Sequence, residues 1–214
     1  MRAVLFDLDG VLVDTEVISR EASDRVLKEV GISQTDEERK KVFGRRTFEN
    51  YKAAIEARGL DIDPQKLVDK KNELFKKMIR GRLKPLPGIG KLLASLKEAG
   101  YKLAVVSSSP EGRVYATLDE VKLTSKFDAI VTGDCCVKGK PNPEPFLVAA
   151  KRIGVRPSEC VVVEDAEIGV EAAKAAGMKV IAVKSPNTFG QNLNKADMVL
   201  DGTEKLTLRI VEGG

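Results

Sequence analysis

Histidine is absent from this chain of 214 residues, and so is tryptophan. The first absence excludes Ser-His-Asp and Cys-His catalysis, together with every histidine-ligated zinc or iron site. Acid–base chemistry must then come from Asp, Glu, Lys, Cys or Tyr. Any metal must accept mostly oxygen ligands, which favours magnesium, calcium or manganese. Cysteine is scarce: Cys135, Cys136 and Cys160 are odd in number and show no Cys-x-x-Cys spacing. That pattern argues against a disulfide framework and for a reducing, cytoplasmic setting. Long apolar runs are missing, since no stretch approaches the roughly 18 apolar residues of a membrane span. Asp7 and Asp9 break the opening apolar stretch too early for a signal peptide. An excess of one charge sign is also lacking: 36 Lys and Arg against 32 Asp and Glu leave only +4, so neither a nucleic-acid nor a membrane partner is expected. What remains is 43% hydrophobic and 32% charged, the balance of a soluble globular protein. At ~150 residues per domain, the length suits one large domain or two unequal ones.

Short β-branched runs recur at Ala3 to Phe6, Lys102 to Val106, Ala129 to Thr132, Val161 to Val163 and Lys179 to Val183. Continuous apolar runs of this length suit strands buried on both faces of a parallel sheet. Helical patterns lie between them: Ile89 to Ala99, Pro145 to Ile153 and Ala166 to Ala176, each closed by a glycine. The alternation predicts a doubly wound, Rossmann-like α/β core. From Thr15 to Leu83 the rhythm breaks into helical patterns alone, at Val17 to Val30, Phe48 to Arg58 and Pro64 to Arg80. Residues 15–83 are therefore expected to form an inserted all-helical domain, with 1–14 and 84–214 forming the core. Lys84-Pro85-Leu86-Pro87-Gly88 reads as the returning hinge. The basic run from Lys66 to Lys77 reads as a solvated helix face.

Four polar clusters follow predicted strands. The first is Asp7-Leu8-Asp9-Gly10, where the two acids could share a strand face or be folded together by a loop beginning at Gly10. Carboxylates this close repel unless a cation or a shared proton intervenes. A helix-capping turn would need one Asp, not two followed by an apolar run. The second is Ser107-Ser108-Ser109-Pro110, whose hydroxyls, Ser107 and Ser108 first, could bind a phosphate oxygen. The third is Lys138-Gly139-Lys140-Pro141, which is not a Walker A loop because Asp134 and Pro141 stand where Gly and Ser or Thr are required. A lysine there would neutralise charge building on a transferring phosphoryl group. The fourth is Glu164-Asp165, a costly pair at the end of an apolar strand without a cation. Acids, hydroxyls, a lysine and more acids at the carboxyl ends of four strands match a magnesium-assisted phosphoryl-transfer site.

These motifs resemble the haloacid dehalogenase-like superfamily in its β-phosphoglucomutase-like branch. The resemblance covers nearly the whole chain and rests on Asp7-Leu8-Asp9-Gly10-Val11-Leu12, Ser107, Lys140-Pro141 and Glu164-Asp165-Ala166-Glu167-Ile168-Gly169. It implies that Asp7 is the nucleophile, forming an aspartyl-phosphate, and that Asp9 protonates the leaving oxygen and then activates water. It implies phosphoryl binding by Ser107 and Lys140. It also implies magnesium held by Asp165, the Asp7 carboxylate and the Asp9 backbone carbonyl, with Glu164 as a ligand directly or through water. The helical insert corresponds to a cap that closes over the core. Within the cap, one of Arg45 and Arg46 is expected to meet an anionic or hydroxylated substrate.

The expected activity is hydrolysis of a small phosphomonoester, such as a sugar phosphate. Dehalogenases lack the second Asp. Mutases of the branch carry a histidine where this chain has Ser19 and a lysine where it has Pro110, which tilts the reading towards a phosphatase. A sugar-phosphate mutase is the alternative. A non-catalytic phospho-receiver fits less well, because it would lack both Asp-x-Asp and the insert. The sequence assigns no oligomeric state.

Overall fold

The computed structural model describes residues 1–185 and 190–213. The last part of the expected core segment, 84–214, thus includes residues 186–189 and 214, which lie outside the described residues. Six strands form a wholly parallel sheet among the described residues: β1 (Ala3–Phe6), β2 (Lys102–Val106), β3 (Ala129–Val131), β4 (Cys160–Glu164), β5 (Lys179–Val183) and β6 (Met198–Leu200). Their order is β3-β2-β1-β4-β5-β6, so the direction of winding reverses between β1 and β4. Phe6 on β1 lies beside Val105 on β2 and Val163 on β4.

Alternation explains why these strands are apolar throughout. Val4 and Phe6 enter one buried cluster, whereas Ala3 and Leu5 enter another on the opposite face. Helices cover both faces. The insert supplies α1 (Glu16–Glu29), α2 (Asp36–Val42), α3 (Thr47–Glu56) and α4 (Pro64–Met78). The core supplies α5 (Ile89–Glu98), α6 (Glu111–Glu120), α7 (Glu144–Ile153), α8 (Glu167–Ala175) and α9 (Leu208–Glu212). In α5, Ile89, Leu92, Leu93 and Leu96 recur at helical spacing and are all buried.

The helices of the insert serve two clusters. Val26, Leu27, Tyr51, Ile55, Leu67 and Val68 make a small core of their own. Ile18, Phe75 and Ile79 instead join the cluster on one sheet face. The two chain segments that connect insert and sheet run side by side: Val13 bridges Pro85 in antiparallel fashion, and Leu86 N–H donates to the Leu12 carbonyl at 2.9 Å.

Strand β6 and helices α2, α6 and α9 have no counterpart in the sequence reading. β6 is a three-residue edge strand with Val199 exposed, so it lacks a continuous apolar run. α2 buries no residue, and α6 buries Arg113 and Thr117 alongside Val114 and Leu118, a stripe too polar to stand out. No helix among the described residues is long and apolar enough to cross a membrane.

Candidate active site

Ligands of open α/β sheets bind beyond the carboxyl ends of the strands, where the winding reverses. Here β1 and β4 flank that point, and Asp7 and Asp165 each follow directly on them. Lys140, from the loop after β3, extends beneath the sheet ends. Its Nζ donates to Asp7 Oδ1 at 2.5 Å, to Glu164 Oε1 at 2.5 Å and to the Val106 carbonyl at 3.0 Å. Glu164 Oε2 accepts the backbone N–H groups of Asp165 and Ala166 at 2.9 and 3.0 Å. Both Glu164 oxygens are thus engaged, and this carboxylate braces the lysine.

Asp9 lies in a turn, not on a strand. Gly10, at φ +82, reverses the chain so that its N–H reaches the Val13 carbonyl at 2.9 Å. The loop alternative for the acid pair is therefore the one adopted. Asp9 Oδ1 accepts from the Thr15 hydroxyl and from Arg113 Nη2 at 3.2 Å, and Oδ2 accepts from Ser109 Oγ at 3.3 Å. Ser109 stands in the expected serine cluster, but the sequence pairs neither it nor Thr15 nor Arg113 with Asp9, because each contributes one polar atom from a different part of the chain.

These acids and Lys140 face a cavity of about 160 Å³ between sheet and insert, also lined by Ser108, Ser109, Lys71 and Arg45. Ser107 is not in that wall. It is buried, and its Oγ accepts the Ser109 N–H at 3.1 Å.

The profile of the family described as haloacid dehalogenase-like hydrolase matches residues 4–183. The chain belongs to this family. It is 33% identical over 219 residues to β-phosphoglucomutase of Bacillus subtilis, covering 99% of this chain and 94% of the relative. It is 34% identical over 181 residues to fructose-1-phosphate phosphatase YqaB of Escherichia coli, covering 85% and 95%. Among solved structures, CbbY from Rhodobacter sphaeroides in complex with phosphate superposes with a TM-score of 0.88 at 27% identity, over 99% of both chains.

The site of this hydrolase carries an electrostatic imbalance. Burial, reinforced by Glu164 and Asp9 and opposed by Lys140, pushes the Asp7 carboxyl up to about 7. Burial, with Glu164 and Asp7, pushes Asp165 well above the carboxylate range. Lys140 moves up instead: the attraction of Asp7 and Glu164 outweighs the burial that would lower it. Asp9 is held below the usual range, because Arg113 and Thr15 overcome its burial. Two buried carboxyls disfavoured as anions are what a divalent cation would relieve. A Cβ on Gly10 would lie 2.0 Å from Asp165 Oδ2, so the glycine keeps open the space in front of that carboxylate. No group of three or more His, Cys, Asp or Glu side chains among the described residues forms a metal cage. Magnesium needs none, since it is usually held by one or two carboxylates plus waters and substrate phosphate. The oxygen donors present fit it.

One expectation for the insert changes and another narrows. Lys71 belongs to no solvated face: it is buried, lines the cavity, and donates to Thr47 Oγ1 at 3.2 Å. Burial, with Arg113 nearby, holds its ammonium well below the usual range. Arg46 does not line the cavity. Its guanidinium donates to the carbonyls of Gly133 at 2.8 Å and Cys136 at 2.7 Å, clasping the insert to the core loop ahead of Lys140. Arg45 is the one of the pair that faces the cavity.

Gly169, inside α8, offers a test of the bracing by Glu164. An alanine in a helix is normally favoured over glycine by about 1 kcal/mol. Here its Cβ would stand 1.9 Å from Glu164 Oε1, which is pinned by Lys140. Gly169→Ala is therefore expected to destabilise the fold by roughly 1–3 kcal/mol as Glu164 loses its partners. Thermal denaturation reads the sign; a stabilised variant would show that Glu164 moves aside freely.

Proposed function

We propose that this hydrolase is a magnesium-dependent phosphatase of a small phosphomonoester, a sugar phosphate being the favoured class, acting through an aspartyl-phosphate on Asp7. The observation that carries the reading is Asp7 itself, on the cavity floor beside Lys140 and next to a second carboxyl, Asp9, held by donors from three elements.

Asp7 attacks the phosphorus in line. The bond from phosphorus to the ester oxygen breaks, its electron pair stays on that oxygen, and Asp9 gives the oxygen a proton. A phosphate dianion beside Asp9 raises its affinity for that proton before the transfer. Water then attacks the phosphorus and yields its proton to Asp9. The bond to Asp7 breaks, returning the electron pair to the carboxylate and releasing inorganic phosphate. Lys140 neutralises charge on the transferring group, and Glu164 keeps it in place. Magnesium, held by the Asp7 and Asp165 carboxylates and the Asp9 carbonyl, would supply a further positive charge to the phosphoryl oxygens. Residues 15–83 act as the cap, with Arg45 and Lys71 meeting the rest of the substrate. A cavity of about 160 Å³ suits a small ester. The free cysteines Cys135, Cys136 and Cys160 suit the cytoplasm.

Hydrolysis of p-nitrophenyl phosphate tests the reading. Chelation is expected to suppress turnover by a factor on the order of 100 or more, and magnesium to restore it. Turnover indifferent to the chelator would overturn the metal's role. An assay that separates free phosphate from an isomerised sugar phosphate distinguishes the phosphatase from a mutase, which would form isomer faster.

A further inference from the structure

Arg113 is the one buried arginine side chain that reaches both a proposed catalytic carboxyl and the insert, among the described residues. It projects from α6 of the core and is only 5% exposed. Nη2 donates to Asp9 Oδ1 at 3.2 Å, while Nη1 donates to Ser19 Oγ on α1 at 3.2 Å. Its guanidinium carbon lies 4.1 Å from the ring centroid of Phe75 on α4. The fork is thus fixed by two helices of the insert and delivers its remaining arm to a carboxylate of the core.

The other two donors to Asp9, Thr15 and Ser109, are hydroxyls that rotate and can also accept. Arg113 can only donate and never loses its charge. A charge-assisted bond of this kind is roughly twice as strong as a neutral one. Asp9 Oδ2 carries only the long contact from Ser109, which leaves it a lone pair for a further proton. We propose that Arg113 is a positioning residue for the hydrolytic half of the reaction: it fixes the Asp9 carboxylate where attacking water surrenders its proton, and it is itself fixed by the insert through Ser19 and Phe75. The inference rests on the aspartyl-phosphate reading. In the step concerned, the water oxygen bonds to phosphorus, its proton passes to Asp9, and the bond to Asp7 breaks with the electron pair returning to Asp7. With a p-nitrophenyl ester, whose leaving oxygen departs without needing the Asp9 proton, the phosphoenzyme still forms in the absence of Arg113, and its breakdown slows.

The experiment is pre-steady-state hydrolysis of p-nitrophenyl phosphate by the full chain with magnesium, with acid quench and intact-mass measurement. Arg113→Met keeps the apolar stem over Phe75 and removes both donors. Its burst of p-nitrophenol is expected to approach one per active site, at a rate within about threefold of wild type. Steady-state turnover should fall by roughly 10- to 100-fold. The quenched protein should carry one phosphoryl group. Arg113→Lys keeps the charge but lacks the planar two-nitrogen fork that reaches Ser19 and Asp9 from separate atoms, so it should show the same accumulation with a smaller fall; it is the deciding variant if the methionine protein does not fold. Asp9→Asn should also trap the phosphoenzyme, and adding Arg113→Met to it should slow breakdown no further. Formation and breakdown slowed alike in the Arg113 variants, or breakdown unchanged, overturns the positioning role. If Asp9→Asn traps nothing either, the aspartyl-phosphate reading falls and the inference with it.

Discussion

Asp7→Asn is expected to abolish turnover in a protein at least as stable as the wild type. The amide cannot attack phosphorus, and loss of a covalent nucleophile costs on the order of 10⁴-fold or more in kcat. Stability should move the other way, because Asp7 is buried beside Asp9 and Glu164 and shares only Lys140 as a close cation. The asparagine oxygen can still accept from that lysine. The pH dependence follows from the sign of the shift. Burial raises the Asp7 carboxyl from 3.8 to about 7, so its native protonated form stabilises the fold fully below pH 3.8, and that contribution is lost as pH rises through about 7. With the metal chelated, the stability gained by Asp7→Asn should therefore be small near pH 4 and largest above pH 7. Hydrolysis of an aryl phosphate and thermal denaturation across that range check both halves. A variant that still released p-nitrophenol would place the nucleophile elsewhere.

Lys140→Met should produce the opposite pairing, with activity and stability lost together. Its side chain is 3% exposed and lies 2.5 Å from each of two carboxylates, of which Glu164 is 1% exposed. Removing one partner of a buried ion pair costs about 3–5 kcal/mol, because the remaining charge has neither water nor a counter-ion. For a chain of this size that corresponds to a fall in Tm on the order of 10 °C. Turnover should fall by roughly 10²- to 10³-fold, the scale of losing one preorganised donor. Adding Asp7→Asn to Lys140→Met should recover part of the stability and none of the activity. If the double variant recovered nothing, the destabilising charge would have to belong to Glu164 alone.

The parts of this molecule that could be read from sequence are those written locally. Ala3–Phe6, Lys102–Val106 and Lys179–Val183 are strands within the expected bounds, because burial on both faces makes an uninterrupted apolar run. Met198–Leu200 escaped because an edge strand of three residues needs no such run. Asp7, Asp9, Lys140, Glu164 and Asp165 announced themselves by following strands, and the structure brings them to one place. Their partnerships were not legible. Nothing in Lys140-Pro141 tells that the lysine bridges Asp7 and Glu164, which lie 133 and 24 residues away. Lys71 reads as surface charge within the basic run Lys66 to Lys77, and Arg113 stands in a helix too polar to read at all; only the meeting of two chain segments buries them. The sequence could not choose between Arg45 and Arg46 as the one facing substrate; the fold puts Arg45 at the cavity and spends Arg46 on backbone carbonyls across the seam.

The two arms joining insert to sheet leave and return as neighbours, tied at Val13 and Pro85 and again at Leu12 and Leu86. Such a mounting holds the insert along one edge, as a page is held on its binding. Val13 is also paired with Asp9 through the Gly10 turn. The short loop that carries the second carboxyl is therefore tied to the joint of the insert itself. In the proposed mechanism, any closing of the cap would reach the proton-carrying Asp9 through a few residues of backbone shared by both.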